Sequence, residues 1–131
     1  METQIVNPWT WQDQFGFAQG VEMRGVERML VCAGQTSSDA DGRTVHAGDM
    51  AAQMNQCLDN LETVLRQAGL GLANVVRLNY YTTDVDAWLE SAGSWGNRLA
   101  EAGCRPASTL LGVTRLAFPD LLVEIEATAV A

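Results

Sequence analysis

Two carboxylates placed two residues apart, Glu124 and Glu126, are the side chains of this sequence best suited to proton chemistry. In the alternating segment from Leu121 to Val130 they point the same way from one strand, about 7 Å apart. Such a pair divides acid and base roles when its two environments separate the proton affinities. Without that separation it is a solvated sheet face. The other reactive side chains stand alone. His46 is the only histidine, and no spacing supplies the partners that a triad or a metal site needs, so it reads as a surface residue at a strand end. Cys104 adjoins Arg105, and a nearby cation lowers a thiol pKa; the alternative is an inert loop cysteine. Cys32, Cys57 and Cys104 form no C-x-x-C pair, which suggests neither a disulfide framework nor a zinc site. They fit small core hydrophobes of a reducing compartment, and the cytoplasm is the expected location.

The elements that position these residues follow from periodicity. Met50, Met54, Cys57, Leu58, Leu61, Val64, Leu65 and Ala68 recur at helical steps, with Asp49 as N-cap and Gly69 as stop. Gln53 and Gln56 fall on the polar side. Val75 to Thr82 reads as a strand with Val76, Leu78 and Tyr80 on one face and Arg77, Asn79 and Tyr81 on the other. A second helix starts near Asp84 and carries Trp88, Ala92, Trp95, Leu99 and Ala102; Gly93 and Gly96 each weaken it by about 1 kcal/mol. Strands follow over Ser108 to Val113 and Leu121 to Val130. Upstream, Phe17 to Met23 and Met29 to Ala33 read as a β-hairpin across a Gly-containing link, and a short strand is expected near Arg43 to His46. Trp9 and Trp11 sit in a polar N-terminal arm, residues 1–14. The order is β-β-(β)-α-β-α-β-β, a mixed sheet with two helices on one face. Its second face carries Arg77, Asn79 and Tyr81, so it is either solvated or buried against another chain; apolar neighbours such as Val21 favour self-association.

Length and charge narrow the function. The 131 residues, 47% hydrophobic, suit one domain and one core. No apolar run reaches membrane-spanning length, and residues 1–11 lack a signal peptide's basic start and apolar stretch. Sixteen acids against eight bases give a net charge of −8, and the sequence contains no lysine. Nucleic-acid binding draws on Lys and Arg against phosphate, so that class of partner is not expected.

Several stretches, in order, resemble the RidA/YjgF family over residues 15–130: Phe15-Gly16-Phe17-Ala18-Gln19-Gly20-Val21, Ala33-Gly34-Gln35, Gly48-Asp49 with Asn60-Leu61 and Ala68-Gly69, Tyr81-Thr82-Thr83-Asp84, Arg105-Pro106-Ala107-Ser108, and Val123-Glu124-Ile125-Glu126-Ala127. The resemblance implies an α+β, chorismate-mutase-like fold in a single domain, assembled as a homotrimer with the sheets lining a central barrel. It implies small-molecule clefts between subunits and hydrolysis of reactive enamines or imines to a carbonyl product and ammonia, with neither metal nor cofactor. Glu124 matches the glutamate that handles the attacking water. Phe17 takes the place of a tyrosine that borders the site, and Gly34 that of a glycine whose backbone meets ligand. The family's carboxylate-clamping arginine falls on Ser108. A hydroxyl gives one neutral hydrogen bond where a guanidinium gives a charge-assisted pair, so substrate preference is expected to change. Arg105 either substitutes as the cation or is a solvated loop residue, and Arg115 offers the same choice between cleft and structural ion pair. Tyr81 and Asn79 line the cleft or pack at an interface. The alternative function is a non-catalytic, small-molecule-binding accessory trimer that uses the same cleft.

Overall fold

The computed structural model describes residues 1–131. Its strands are β1 (Glu2–Val6), β2 (Gly20–Arg24), β3 (Met29–Val31), β4 (Gln35–Thr36), β5 (Val75–Thr82), β6 (Ala107–Gly112) and β7 (Val123–Val130), and its helices are α1 (Met50–Gln67), α2 (Val85–Ser91) and α3 (Gly96–Glu101). β6, β5, β7 and β3 lie side by side, with β4 also on β7; β5 and β6 run parallel and β7 runs antiparallel to β5. The α+β expectation, with helices packed on one sheet face, holds. No helix is long and apolar enough to cross a membrane.

The core forms where the two periodicities meet. α1 begins on Asp49, whose Oδ1 accepts from Ala52 N at 3.0 Å, and stops at Gly69 in a left-handed conformation (φ 74°). Its stripe of Met54, Cys57, Leu58, Leu61 and Leu65 is fully buried against Leu78, Val123, Ile125 and Ala127. Burial of each leucine contributes about 1.5–3 kcal/mol. Trp88 and Trp95 complete this core around Tyr80, with ring centroids 4.9 and 5.7 Å from it. Arg98 ties α3 to α1 through Asp59 at 2.6 Å and Glu62 at 2.9 Å.

Five features depart from the sequence reading. β2 does not pair with β3. The N-terminal segment supplies β1 as its partner instead (Ile5 opposite Val21) in a separate two-stranded sheet, and Ala18 bridges to Ala107 of β6, the edge opposite β3. The stretch from Arg43 to His46 makes only one bridge, Ser38 to Thr44. The second helix is broken: residues Ala92–Ser94 tighten into a 3-10 turn between α2 and α3, where Gly93 weakens helical continuity. A bulge between Val75 and Arg77 puts Val75, rather than Val76, in the core with Leu78 and Tyr80. Gln53, expected on the polar side of α1, is completely buried, because its amide joins three separate backbone groups.

Candidate functional site

The pairing register decides which side chains meet. Tyr81 stands opposite Glu124 and Asn79 opposite Glu126. Tyr80 and Ile125, the intervening pair, are buried in the core. Alternation therefore puts Arg77, Asn79, Tyr81, Glu124, Glu126 and Thr128 together on the sheet face that carries no helix. Arg77 donates to Thr109 Oγ1 of β6 at 3.2 Å. A shallow hollow of about 180 Å³ runs beside these residues and includes Arg77, Asn79, Glu126 and Thr128 in its wall. A larger hollow, about 370 Å³, lies over β1 and β2 with Glu2, Thr3, Gln4, Glu22 and Arg24 around it. None of the candidate residues borders it, and without an apolar wall it is poorly suited to a small organic ligand.

The two glutamates have different surroundings. Glu126 accepts through Oε1 from the Tyr81 hydroxyl, in a very short contact, and from Asn79 Nδ2 at 3.3 Å. Those two hydrogen bonds, helped by the Arg77 charge, hold its carboxyl below the usual carboxylate range. Tyr81 is raised in return, first by its hydrogen bond to Glu126. Glu124 has no such donors. Its carboxyl is pushed up, first by burial and then by the charge of Glu126. β4 pairs Gln35 with Ile125 and Thr36 with Glu124, which brings Gly34, in the link between β3 and β4, against this side chain. A Cβ on Gly34 would stand 1.8 Å from Glu124 Oε2. The carboxylate occupies space that only glycine leaves open.

That close approach carries a prediction. Gly34→Ala is expected to fold with near-unchanged stability, since the clashing atoms are the free end of a side chain and Gly34 lies outside the positive-φ region. The carboxylate of Glu124 must then move, and any activity that depends on it should fall as far as in a Glu124 variant. Thermal unfolding beside an activity assay checks both halves; a large loss of stability would contradict the reading.

The remaining candidates gather elsewhere. Ala18 N donates to Pro106 O at 2.9 Å, which seats Phe17 at the start of β6. There Phe17 packs edge-on against Trp11, with centroids 5.9 Å apart. Arg105 is paired with Asp13, from the 3-10 turn at Trp11–Phe15, in a very short contact. Ser108 stands opposite Leu78, hence on the helix side of the sheet. From Glu124 it is separated by two strand spacings and three residues of register, about 14 Å, and by the sheet itself. Within one chain, then, Glu124, Gly34 and Tyr81 form one group, and Phe17, Arg105 and Ser108 form another. Arg115 is exposed in the loop after β6, where its Nε donates to Leu116 O at 3.4 Å. His46 is exposed at the turn before α1. Cys104 is buried, and burial pushes its thiol up to about 12, the opposite of activation by Arg105. Asp13 and the register of Tyr81 against the glutamates were not singled out from the sequence. The first lies in an arm with no periodic signal, and the second needed strand pairing to be known.

The comparisons with known proteins agree with this architecture. The family model described as endoribonuclease L-PSP matches residues 14–131. A 2-iminobutanoate/2-iminopropanoate deaminase of Escherichia coli is 30% identical over 115 residues, 87% of this chain and 86% of the relative. A RutC family protein of Synechocystis is 35% identical over 102 residues, 77% of each chain. Among solved structures, the Rid family protein YyfB from Yersinia pestis superposes with a TM-score of 0.87 at 38% identity, covering 100% of both chains. The YjgF protein of Escherichia coli superposes with a TM-score of 0.69 at 29% identity, covering 87% of both.

Proposed function

The chain belongs to the RidA/YjgF family, and on that premise we propose that it hydrolyses small enamines or imines to a carbonyl product and ammonia, with Glu124 as the catalytic carboxyl. The observation that carries the reading is the Glu124 carboxyl itself, partly dehydrated, without a hydrogen-bond donor from its own chain, and packed where Gly34 has no side chain. A carboxyl that burial makes hold its proton more tightly than usual is a stronger base toward an attacking water and can hand the same proton on. Water adds its oxygen to the imine carbon while Glu124 removes one of its protons. That proton passes to nitrogen, giving a carbinolamine. The carboxylate of Glu124 then takes the hydroxyl proton and delivers it to the amino group as C=O forms and the C–N bond breaks, releasing ammonia and restoring the carboxylate. An imine carbon is already electrophilic, so positioning supplies much of what is needed.

The working site in this reading lies between subunits of a homotrimer, and the ligand is a small molecule rather than nucleic acid. Ser108 and Phe17 of one subunit complete the group around Glu124, Gly34 and Tyr81 of the next. The helix-free sheet face supports self-association: beside the polar residues it exposes Met29 at 62%, Val31 at 72% and Leu111 at 49%. Exposed apolar area of this kind marks interaction surfaces. Nuclease action, which the family model's description names, sits poorly with a net charge of −8 and no lysine. Three buried free thiols fit a reducing, cytoplasmic setting.

Substrate preference follows from Ser108. The nearby cation, Arg105, is engaged with Asp13, so an imine without a carboxylate is the better match. Ser108→Arg restores a bidentate partner for carboxylates and is expected to raise turnover of 2-imino acids at least about tenfold, as a gain of about 1.4 kcal/mol in anchoring requires. Release of ammonia and 2-keto acid over the spontaneous rate, from imines generated in situ by an amino-acid oxidase, measures it. Inertness of both forms toward 2-imino acids and toward imines without a carboxylate would overturn the hydrolase reading. The same serine favours the second reading, a non-catalytic binding or pathway-accessory protein using this cleft, which that result would leave standing.

A further inference from the structure

The helix-free sheet face holds a carboxylate that the proposed reaction does not use. Glu126 is tied down from the neighbouring strand by Tyr81 and Asn79, both on Oε1. Glu124, on the same face one alternation away, receives no donor from its own chain. A side chain serving only to stitch β5 to β7 has no need of a charge, since a neutral amide would accept the same two hydrogen bonds. An ionised group fixed on the same face two residues along the strand, about 7 Å at the backbone, has a further consequence: it disfavours a negative charge on Glu124. We infer that Glu126, pinned by Tyr81 and Asn79, is a positioning residue whose fixed charge, one alternation away on the same sheet face, opposes ionisation of Glu124. The inference rests on the hydrolase reading for its purpose, though not for its physical content.

The other groups around Glu124 are consistent with this assignment. On β5, Tyr81 is neutral and spends its hydroxyl on Glu126, while Arg77 bonds Thr109 and its charge acts on Glu126. β4 brings Gln35 and Thr36, and β3 brings Met29, Leu30 and Val31, none of them ionisable. From α1, behind the strand, comes only the Cys57 thiol, pushed up to about 12 by burial and, secondarily, by Glu124. Within its own chain, Glu126 is therefore the one anion facing Glu124.

The test uses the whole assembled protein with carbon-13-labelled glutamate carboxyls. The titration of Glu124 is followed by NMR in wild type, Glu126→Gln, Tyr81→Phe and, as a control, Glu22→Gln on exposed β2. Glu126→Gln should move the Glu124 midpoint to lower pH. Tyr81→Phe should raise the Glu126 midpoint, and Glu22→Gln should change neither. In the hydrolysis assay, Glu126→Gln should lower kcat at neutral pH about three- to tenfold, the range that screened repulsion between two such charges supports, with KM little changed. It should also displace the pH profile to the acid side. A Glu124 midpoint that stays put in a folded Glu126→Gln protein overturns the inference, whatever the activity. A midpoint that moves as expected in a protein that hydrolyses no imine upholds the coupling and removes the hydrolase reading instead.

Discussion

Glu124→Gln is expected to slow imine hydrolysis by about 10²- to 10⁴-fold, the range over which a positioned acid or base contributes, while leaving the protein at least as stable at neutral pH. The amide keeps the size of the carboxyl and still fits beside Gly34, so the loss would be chemical rather than structural. The stability half follows from the direction of the shift. Because the folded protein holds the Glu124 proton more tightly than the unfolded chain does, this group's stabilising contribution is complete below the ordinary carboxylate value. It is lost as pH rises through the folded value. Near pH 7 Glu124 is consequently a burden on the fold that glutamine lifts, whereas near about pH 4 the two proteins should converge. Thermal unfolding at both pH values, beside the ammonia-release assay, measures this. A variant that keeps full activity would remove Glu124 from the mechanism. One that unfolds more readily at neutral pH than wild type would contradict the account of its surroundings.

The second large effect concerns the fold. Gln53 is completely buried in α1. Its Nε2 donates to Asp120 O at 2.9 Å and to His46 O at 3.2 Å, and its Oε1 accepts from Leu122 N at 2.8 Å. Through this one amide the helix holds both the turn that leads into α1 and the loop that delivers β7. Gln53→Leu leaves those three backbone groups without their partner, and each buried unsatisfied group costs about 1–3 kcal/mol. A loss of about 3 kcal/mol is expected, seen in urea unfolding as a lower midpoint at unchanged slope. Hydrogen exchange should quicken at Leu122, whose amide is released. His46 is also affected: it is the only residue other than glycine with positive φ, at 63°. A residue of that kind keeps such a backbone conformation only while its surroundings enforce it. A loss below about 0.5 kcal/mol would mean that water replaces the amide at no cost.

These two residues show where sequence and structure part. Glu124 could be singled out because strand alternation along β7 puts it and Glu126 on one face and the family resemblance picks the first of the two. Gln53 could not. Helical periodicity places it on the polar side of α1 and its residue type argues for solvent, and only the loops folded over α1 reverse both arguments. The same contrast recurs in the N-terminal segment. The apolar runs on either side of Gly25 satisfy the pattern of a hairpin, yet β2 pairs with β1 while the preceding Ala18 bridges to β6, an outcome that long-range contacts decide.

The sequence by itself determined the α+β class, the two helical segments and the strands that matter, the alternation of β7 and the membership of the family. All of these are properties of short windows or of ordered motifs, and local periodicity and capping specify them. Tertiary structure alone decided the distribution of the candidate residues. It put Glu124 beside Gly34, tied Tyr81 to Glu126 and paired Arg105 with Asp13, and it set Ser108 on the far side of the sheet. The reason is physical. A charged or polar side chain has many possible partners along a chain, and which one it meets depends on strand register and on the crossing of distant segments. No window of neighbouring residues encodes either.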